Sequence, residues 1–279
     1  MPLYNKARGS LKVCNRAVIV SVGEFDHGVE LTRRAAGVRS DTKRLHKVLS
    51  KLGFEVEFHN DLSAQEIYTL FKAESKKSVE SCFLGIISSH GEEGVVFGAD
   101  GNPVRLAQIF RLFNEPSMVD KTKLFLVQAC RGHGLDDGVD VETDSASFSD
   151  EEDNVSDYLS IPVDTAVMYA TAPGYGAYMN PGGSVFIQTL CTLLEEDGGR
   201  DLEINRLMTR LNYQVAYHFQ ARGRELAGKK EMPCFVTRLT KEVYPFRASQ
   251  GNAEGELSTK RSAAVLVEEA QRPRKRSIS

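Results

Sequence analysis

The chain has 279 residues, of which 41% are hydrophobic and 26% are charged, and its formal net charge is -3. This composition is typical of globular proteins and excludes fibrous, collagenous and wholly disordered chains, while the length allows an α/β domain with a buried site. The apolar runs fall far short of the roughly 18 residues needed to cross a bilayer, and no apolar leader follows Met1, so neither a membrane span nor a signal peptide is predicted.

Short apolar runs rich in β-branched residues alternate along the chain with segments of helical period. Strands are predicted at residues 17–22, 55–58, 83–88, 123–129, 166–170 and 234–239. Helices are predicted at residues 45–52, 63–71, 106–110, 186–194 and 203–219. Ser63 and Glu66 form a capping box at the start of the second helix. The alternation predicts a three-layer α/β sandwich, in which a mostly parallel six-stranded sheet has helices on both faces.

The small net charge conceals an acidic segment. Residues 136–157 hold ten acids and no lysine or arginine, so the rest of the chain carries +7. That excess is spread too thinly for a nucleic-acid binder. The segment is also poor in aliphatic residues, which predicts a solvated linker. Residues 247–279 are polar and end in a basic cluster, which predicts a disordered tail, with a nuclear address as the alternative.

The five cysteines are odd in number and show no CxxC spacing, which predicts free thiols in a reducing, intracellular setting. Cys82, Cys191 and Cys234 lie in or beside apolar segments and are predicted to belong to the core. No His/Cys pair has the spacing of metal ligands, so neither a metal nor another cofactor is expected. The predicted location is therefore the cytoplasm.

Two residues with useful chemistry directly follow predicted strands. His90 comes shortly after residue 88, and Cys130 directly follows residue 129. Ligands bind outside the carboxyl ends of strands in open α/β sheets, so neighbouring strands would bring this imidazole and thiol face to face. Such a histidine favours the thiolate and then protonates a leaving amine. Gly91 lets its backbone N–H, with that of Cys130, form an oxyanion hole.

The residues around both positions resemble the caspase family. Residues 128–132 read Gln-Ala-Cys-Arg-Gly, the caspase signature around the nucleophile, and His90 lies 40 residues upstream of Cys130. Three further segments resemble the caspase histidine segment, the start of the small subunit and the last strand: residues 88–94, 171–188 and 233–244. The resemblance covers about residues 17–246.

The resemblance implies a cysteine endopeptidase that cuts after aspartate, is made as a precursor and acts as a dimer. It makes Cys130 the nucleophile, His90 the acid and base, and Gly91 with Cys130 the oxyanion donors. The family's aspartate pocket contains two arginines and the glutamine of the signature, which Gln128 matches. Arg34 is the choice for the first arginine, with Arg33 as the alternative.

The second arginine of that pocket is missing. In the family it stands in an aromatic-Arg-Asn triplet, where this chain has Tyr178, Met179 and Asn180, and no lysine or arginine occurs from residue 132 to residue 199. Met179 cannot make the fork-like, charge-assisted pair that an arginine makes with a carboxylate. The pocket is therefore expected to be impaired or altered.

The resemblance also divides the chain. Asp144 and Asp157 look like processing sites. The expected regions are a short N-terminal segment (1–14), a large-subunit region (15–144), a processing linker between the two sites (145–157), a small-subunit region (158–246) and the tail (247–279). The segment before residue 17 is too short for a death-fold recruitment domain, so the chain resembles an executioner-type caspase or a truncated one.

Three functions follow as hypotheses. The first is a caspase-like endopeptidase that cleaves proteins at exposed acidic segments in apoptosis or related signalling, as a homodimer or a heterodimer with a related caspase. The second is an impaired homologue that regulates an active caspase by dimerising through residues 234–239. The third is a peptidase of changed specificity, and Arg34 with Gln128 argues against cleavage after basic residues. Neither nucleic acid nor a membrane is an expected partner.

Overall fold

The computed structural model describes residues 14–132, 134, 161–222 and 226–247. The chain divides into two units, Met1–Phe246 and Arg247–Ser279. The processing sites predicted at Asp144 and Asp157 lie outside the described residues, as does the tail after Arg247, so these remain predictions. Among the described residues, no helix is long and apolar enough to cross a bilayer.

The strands confirm the predicted sheet and add short ones. In chain order they are β1 (Arg16–Ser21), β2 (Glu55–Asn60), β3 (Cys82–Ser88), β4 (Gly91–Glu92), β5 (Val95–Phe97), β6 (Pro103–Arg105), β7 (Thr122–Gln128), β8 (Thr165–Tyr169), β9 (Met179–Asn180), β10 (Gly183–Ser184) and β11 (Cys234–Thr237). The central sheet has the order β11-β8-β7-β3-β1-β2. All its pairs are parallel except that of β8 with β11, which is the antiparallel edge strand.

The helices cover both faces of this sheet. They are α1 (Ala35–Lys51), α2 (Ala64–Glu74), α3 (Leu106–Arg111), α4 (Val185–Glu195) and α5 (Ile204–His218). Ser63 and Glu66 form the predicted capping box of α2, with both reciprocal hydrogen bonds present. Helix α1 begins ten residues before the predicted stretch, because its first turns are largely polar and show little apolar periodicity.

Along the central strands, successive side chains alternate between two hydrophobic cores, one on each face of the sheet. Ala17 and Ile19 of β1 pack with residues from α1, α4 and α5. Val18 and Val20 point to the opposite face and pack with residues from α2 and α3. Burial on both faces explains why these strands read as continuous apolar runs in the sequence. The three-layer sandwich is therefore confirmed.

Candidate active site

The two residues predicted to face each other follow strands that are neighbours. Strands β3 and β7 pair in parallel, with Ser88 opposite Gln128 at their carboxyl ends. The backbone N–H of Ser89 donates to the carbonyl of Gln128 at 3.2 Å, which continues the pairing past the end of β3. His90 and Cys130 therefore lie at the same edge of the sheet, just past the ends of two adjacent strands.

A cavity of about 470 Å³ opens at this edge. It is lined by the loop before α1, by the ends of β3 and β7, and by the segment around β9. The lining residues are Thr32, Arg33, Arg34, Ala35, Ala36, Gly37, Ser89, His90, Gln128, Ala129, Cys130, Ala177, Met179, Asn180 and Pro181. The fold thus brings most of the predicted site residues to one cavity.

The histidine has a defined orientation. His90 Nε2 lies 2.7 Å from the carbonyl oxygen of Thr32. A carbonyl oxygen only accepts hydrogen bonds, so Nε2 carries the proton, and in the neutral ring Nδ1 is the basic atom. Burial lowers the pKa of His90, and the nearby charge of Arg34 lowers it further, against the opposing effect of the Thr32 carbonyl. The imidazole is therefore poised as a neutral base at physiological pH.

The thiol lies beside the backbone of Ala177. The N–H of Ala177 donates to Cys130 Sγ at 3.4 Å, and Sγ lies 3.9 Å from the carbonyl of the same residue. The segment after β3 that holds His90 (residues 89–94, the histidine loop) lies close to the segment after β7 that holds Cys130 (residues 129–132, the cysteine loop). A Cβ atom on Gly91 would come within 2.7 Å of the Val95 carbonyl and 2.9 Å of the Ala129 side chain. Only glycine allows the histidine loop to approach the cysteine loop this closely.

Arg34 supplies a positive charge to the cavity. Its Nη2 donates to Ser88 Oγ at 3.2 Å and lies 3.5 Å from Met179 Sδ. Its Nη1 is buried and has no hydrogen-bond partner among the described residues. Burial lowers the pKa of Arg34 to about 10, so the guanidinium still carries its charge at neutral pH. A buried donor without an acceptor favours the binding of an anionic group.

Met179 packs directly against the start of α1. A Cβ atom placed on Gly37 would lie 2.6 Å from Met179 Sδ, so the thioether fills the space above that glycine. Gln128 is 1% exposed and also lines the cavity. This part of the cavity wall therefore combines one guanidinium, one amide and one thioether.

The other predicted substrate-binding residues are Arg33, Tyr178 and Asn180, and their side chains lie in different places relative to the cavity. The Arg33 guanidinium is directed to Glu24 at 2.7 Å, with 73% of its side chain exposed. The Tyr178 ring packs on Phe219, with centroids 5.2 Å apart, and Tyr178 does not line the cavity. Asn180 lines the cavity. Arg34, not Arg33, is thus the arginine next to Met179.

The comparisons with known proteins concern nearly the whole described region. A family model for the caspase domain matches residues 14–244. The chain belongs to the caspase family. It is 38% identical over 244 residues to caspase-7 of Gallus gallus, across 84% of this chain and 77% of that protein. It is also 38% identical over 235 residues to caspase-3 of Mesocricetus auratus, across 81% and 82% of the two chains.

Caspase-3 of Bos taurus is 37% identical over 234 residues, across 81% of this chain and 82% of that protein. Residues 14–244, which the family model matches, include His90, Cys130 and the segment around β9. The protein is therefore a caspase-type cysteine endopeptidase.

The cysteine loop is anchored by a buried arginine that the sequence did not single out. Arg131 is 5% exposed, and its Nη2 donates to Glu93 Oε1 at 2.6 Å. Its Nη1 donates to Cys234 Sγ at 3.0 Å, and its guanidinium lies 4.1 Å from the centre of the Tyr169 ring. Arg131 thus joins the loop after β7 to β8 and β11.

Replacing Arg131 by alanine is expected to lower the free energy of unfolding by about 3 kcal/mol, because it leaves the carboxylate of Glu93 without its partner. Urea unfolding measures this loss. The matched control is Arg33→Ala, which breaks an exposed pair and is expected to cost less than about 1 kcal/mol. Equal losses in the two variants would contradict the anchoring role.

A buried carboxyl lies behind the cavity wall and was also not predicted. Glu231 is 1% exposed, and its Oε2 accepts from the Tyr178 N–H at 2.8 Å. Burial raises the pKa of Glu231 to about 8 from an ordinary value of 4.5, although the Tyr178 hydrogen bond opposes the shift. The folded protein therefore holds this proton across a pH range in which the unfolded chain releases it.

Glu231→Gln is expected to remove a pH dependence of stability. Between pH 4.5 and about 8 the folded state binds one more proton than the unfolded state at this carboxyl. The free energy of unfolding should therefore fall by about 1.4 kcal/mol per pH unit as the pH rises through this window. Above the folded-state pKa the contribution should level off. Denaturant titrations at pH 5, 6.5 and 8 measure the slope, and equal slopes in the two proteins would contradict the assignment.

The other cysteines lie in several environments. Cys82 and Cys191 are buried as predicted, and burial raises the pKa of each thiol to about 12. Cys234, predicted as core, is partly buried: it lies on the edge strand β11, packs against the core and accepts a hydrogen bond from Arg131. Among the described residues, no group of three or more His, Cys, Asp and Glu side chains is arranged to hold a metal ion.

Proposed function

We propose that this caspase cleaves proteins after aspartate residues in exposed acidic segments. The observation that carries the proposal is the cavity that Cys130, His90, Arg34 and Gln128 line together. The unpartnered Nη1 of Arg34 suits a substrate carboxylate, and Cys130 lines the same cavity. Caspase-3 and caspase-7 are among the relatives of this chain, which supports a role in apoptosis or related signalling.

The reaction follows from the orientation of the histidine. His90 Nδ1 accepts the thiol proton, and Cys130 Sγ then attacks the carbonyl carbon of the residue bound next to Arg34. The N–H groups of Gly91 and Cys130 stabilise the resulting oxyanion. As the C–N bond breaks, the imidazolium returns its proton to the leaving amine and a thioester remains. Water then attacks the thioester, with His90 accepting its proton and returning it to the thiol.

Turnover of peptides tests this function. The panel consists of fluorogenic tetrapeptides that end in aspartate, glutamate, asparagine, methionine or lysine, with Cys130→Ala as the blank. Aspartate peptides are expected to be cleaved best. The absence of Cys130-dependent cleavage of every peptide would refute the enzyme function. Preference for asparagine or methionine would instead support the changed specificity that Met179 suggests.

Processing, assembly and location belong to the same proposal. We propose a zymogen cut at Asp144 and Asp157, which acts in the cytoplasm, with the nucleus as an alternative. Strand β11 lies at the edge of the central sheet and pairs with β8 on one side. An edge strand offers backbone groups to a second chain, which supports a homodimer or a heterodimer with a related caspase.

A regulatory role is the second candidate function, because Met179 replaces an arginine of the pocket. In this role the chain pairs through β11 with an active caspase and alters the activity of that partner. Mixing the Cys130→Ala protein with a purified active caspase tests it, since the blank has no turnover of its own. A change in the partner's rate would support regulation, and an unchanged rate over a range of concentrations would contradict it.

A further inference from the structure

The segment of the cavity wall that carries Met179 and Asn180 is weakly structured by itself. Residues 178–184, termed here the cavity hairpin, contain only the two-residue strands β9 and β10. Their antiparallel pairing joins Asn180 to Gly183 and Met179 to Ser184. Such a short pair of strands is not stable without outside support. The position of Met179 therefore depends on contacts with the rest of the fold, which include hydrogen bonds at both ends of the hairpin besides the packing of Met179 itself on Gly37.

The first end is held by Glu231. Its Oε2 accepts from the N–H of Tyr178, the residue directly before Met179, at 2.8 Å. Its Oε1 is buried and has no hydrogen-bond partner within the described ranges. The carboxyl group thus makes one well-formed hydrogen bond in an environment that otherwise excludes water. Loss of that acceptor would remove the hydrogen bond that the Tyr178 N–H donates to Glu231.

The second end is held by Asp41 on α1. Both of its carboxylate oxygens accept from the N–H of Ser184, at 3.1 and 3.0 Å, and Oδ1 also accepts from Gln188 Nε2 at 2.7 Å. Asp41 is 2% exposed. The turn between β9 and β10 is held as well, since Ser40 Oγ donates to the carbonyl of Gly182 at 2.6 Å.

We propose that Glu231 and Asp41 are positioning residues for substrate binding, which hold the two ends of the cavity hairpin and thereby place Met179 and Asn180 beside Arg34. Neither carboxyl lines the cavity, so each acts through the hairpin and does not touch the substrate. The proposal rests on the proposed function, because it assigns substrate contacts to the hairpin. It adds a specific cause for the geometry of the pocket.

A matched pair of substitutions at Glu231 separates the hydrogen bond from the volume of the side chain. Glu231→Gln keeps an oxygen acceptor for Tyr178, whereas Glu231→Met fills similar space with no comparable acceptor. We expect the methionine variant to raise KM for aspartate peptides about tenfold through the lost hydrogen bond. We expect kcat to change by less than about twofold, because the reacting groups stay in place. The glutamine variant should keep the wild-type KM.

A second carboxylate provides the control for general effects of losing a buried acid. Glu203 accepts from the N–H groups of Asn205 and Arg206 at the start of α5 and does not line the cavity. Glu203→Gln and Glu203→Met should leave KM unchanged even where they lower stability. At the other end of the hairpin, Asp41→Leu should reproduce the rise in KM seen with Glu231→Met.

Hydrogen exchange on the full chain gives a readout that needs no catalysis. The Tyr178 amide should exchange about tenfold faster in Glu231→Met than in Glu231→Gln, since the lost hydrogen bond protected it. Equal KM values and equal exchange rates in these two variants would overturn the proposal. If the wild-type protein cleaves no peptide, the proposed function fails. The exchange rates then decide by themselves whether Glu231 holds the hairpin.

Discussion

Met179→Arg is expected to raise kcat/KM for aspartate peptides about ten- to a hundredfold. A hydrogen bond to a charged group contributes about 1.5–3 kcal/mol, which corresponds to a change of this size in rate. Met179 Sδ lies 3.5 Å from Arg34 Nη2, so an arginine side chain at this position starts beside the guanidinium already present. Together the two can bind both oxygens of a carboxylate.

The gain should depend on the charge of the substrate. Peptides that end in asparagine should gain much less than aspartate peptides, because a carboxamide lacks the negative charge. Met179→Leu is the control for a simple change of shape and should leave the aspartate rate near that of the wild type. In the empty cavity the two guanidinium groups repel each other, so thermal stability should fall slightly and recover with an aspartate peptide bound. No gain with Met179→Arg would show that the missing arginine does not limit turnover.

Much of this site could be predicted because the carboxyl ends of neighbouring parallel strands lie at one edge of the sheet. The apolar runs of β3 and β7 are buried on both faces, so both strands were visible in the sequence, and each is followed by a polar residue with useful chemistry. Parallel neighbours place such residues at one edge of the sheet. The proximity of His90 and Cys130 therefore follows from the order of the strands, which the structure shows to be adjacent.

The supporting residues could not be predicted because they depend on contacts between distant parts of the chain. Glu93 and Arg131 lie 38 residues apart, and Tyr178 and Glu231 lie 53 residues apart. Glu231 follows Lys229 and Lys230, and a run of charged residues of this kind usually indicates a solvated surface. Only the fold shows that its carboxyl group enters the interior behind the cavity.

The short strands were missed for a different reason. Strands β9 and β10 have two residues each, which is too few to show the alternation that identifies a strand. The family resemblance identified Met179 as a departure from the aspartate pocket, but it gave no indication that the side chain packs over Gly37. The composition of the pocket could thus be predicted from the sequence, whereas its support required the structure.

His90→Ala is expected to lower kcat/KM about a hundred- to ten-thousandfold, the usual contribution of a positioned acid and base. The loss arises because the variant lacks the imidazole that takes the proton from Cys130 and returns it to the leaving amine. His46→Ala is the control, since His46 packs against Phe58 outside the cavity. Peptide hydrolysis at pH 7 measures both, and similar rates in the two variants would exclude His90 as the base.

The pH dependence adds a sharper test of the same residue. Burial and the charge of Arg34 lower the pKa of His90 below its ordinary value of 6.5, so the imidazole stays neutral to a lower pH than an exposed histidine. The acid limb of kcat/KM should therefore lie below pH 6.5. Arg34→Gln removes one of the two causes and should shift the limb upward, although turnover itself falls. NMR titration of the imidazole in Cys130→Ala follows the same shift without turnover. A pKa that does not respond to Arg34→Gln would mean that burial alone keeps His90 neutral.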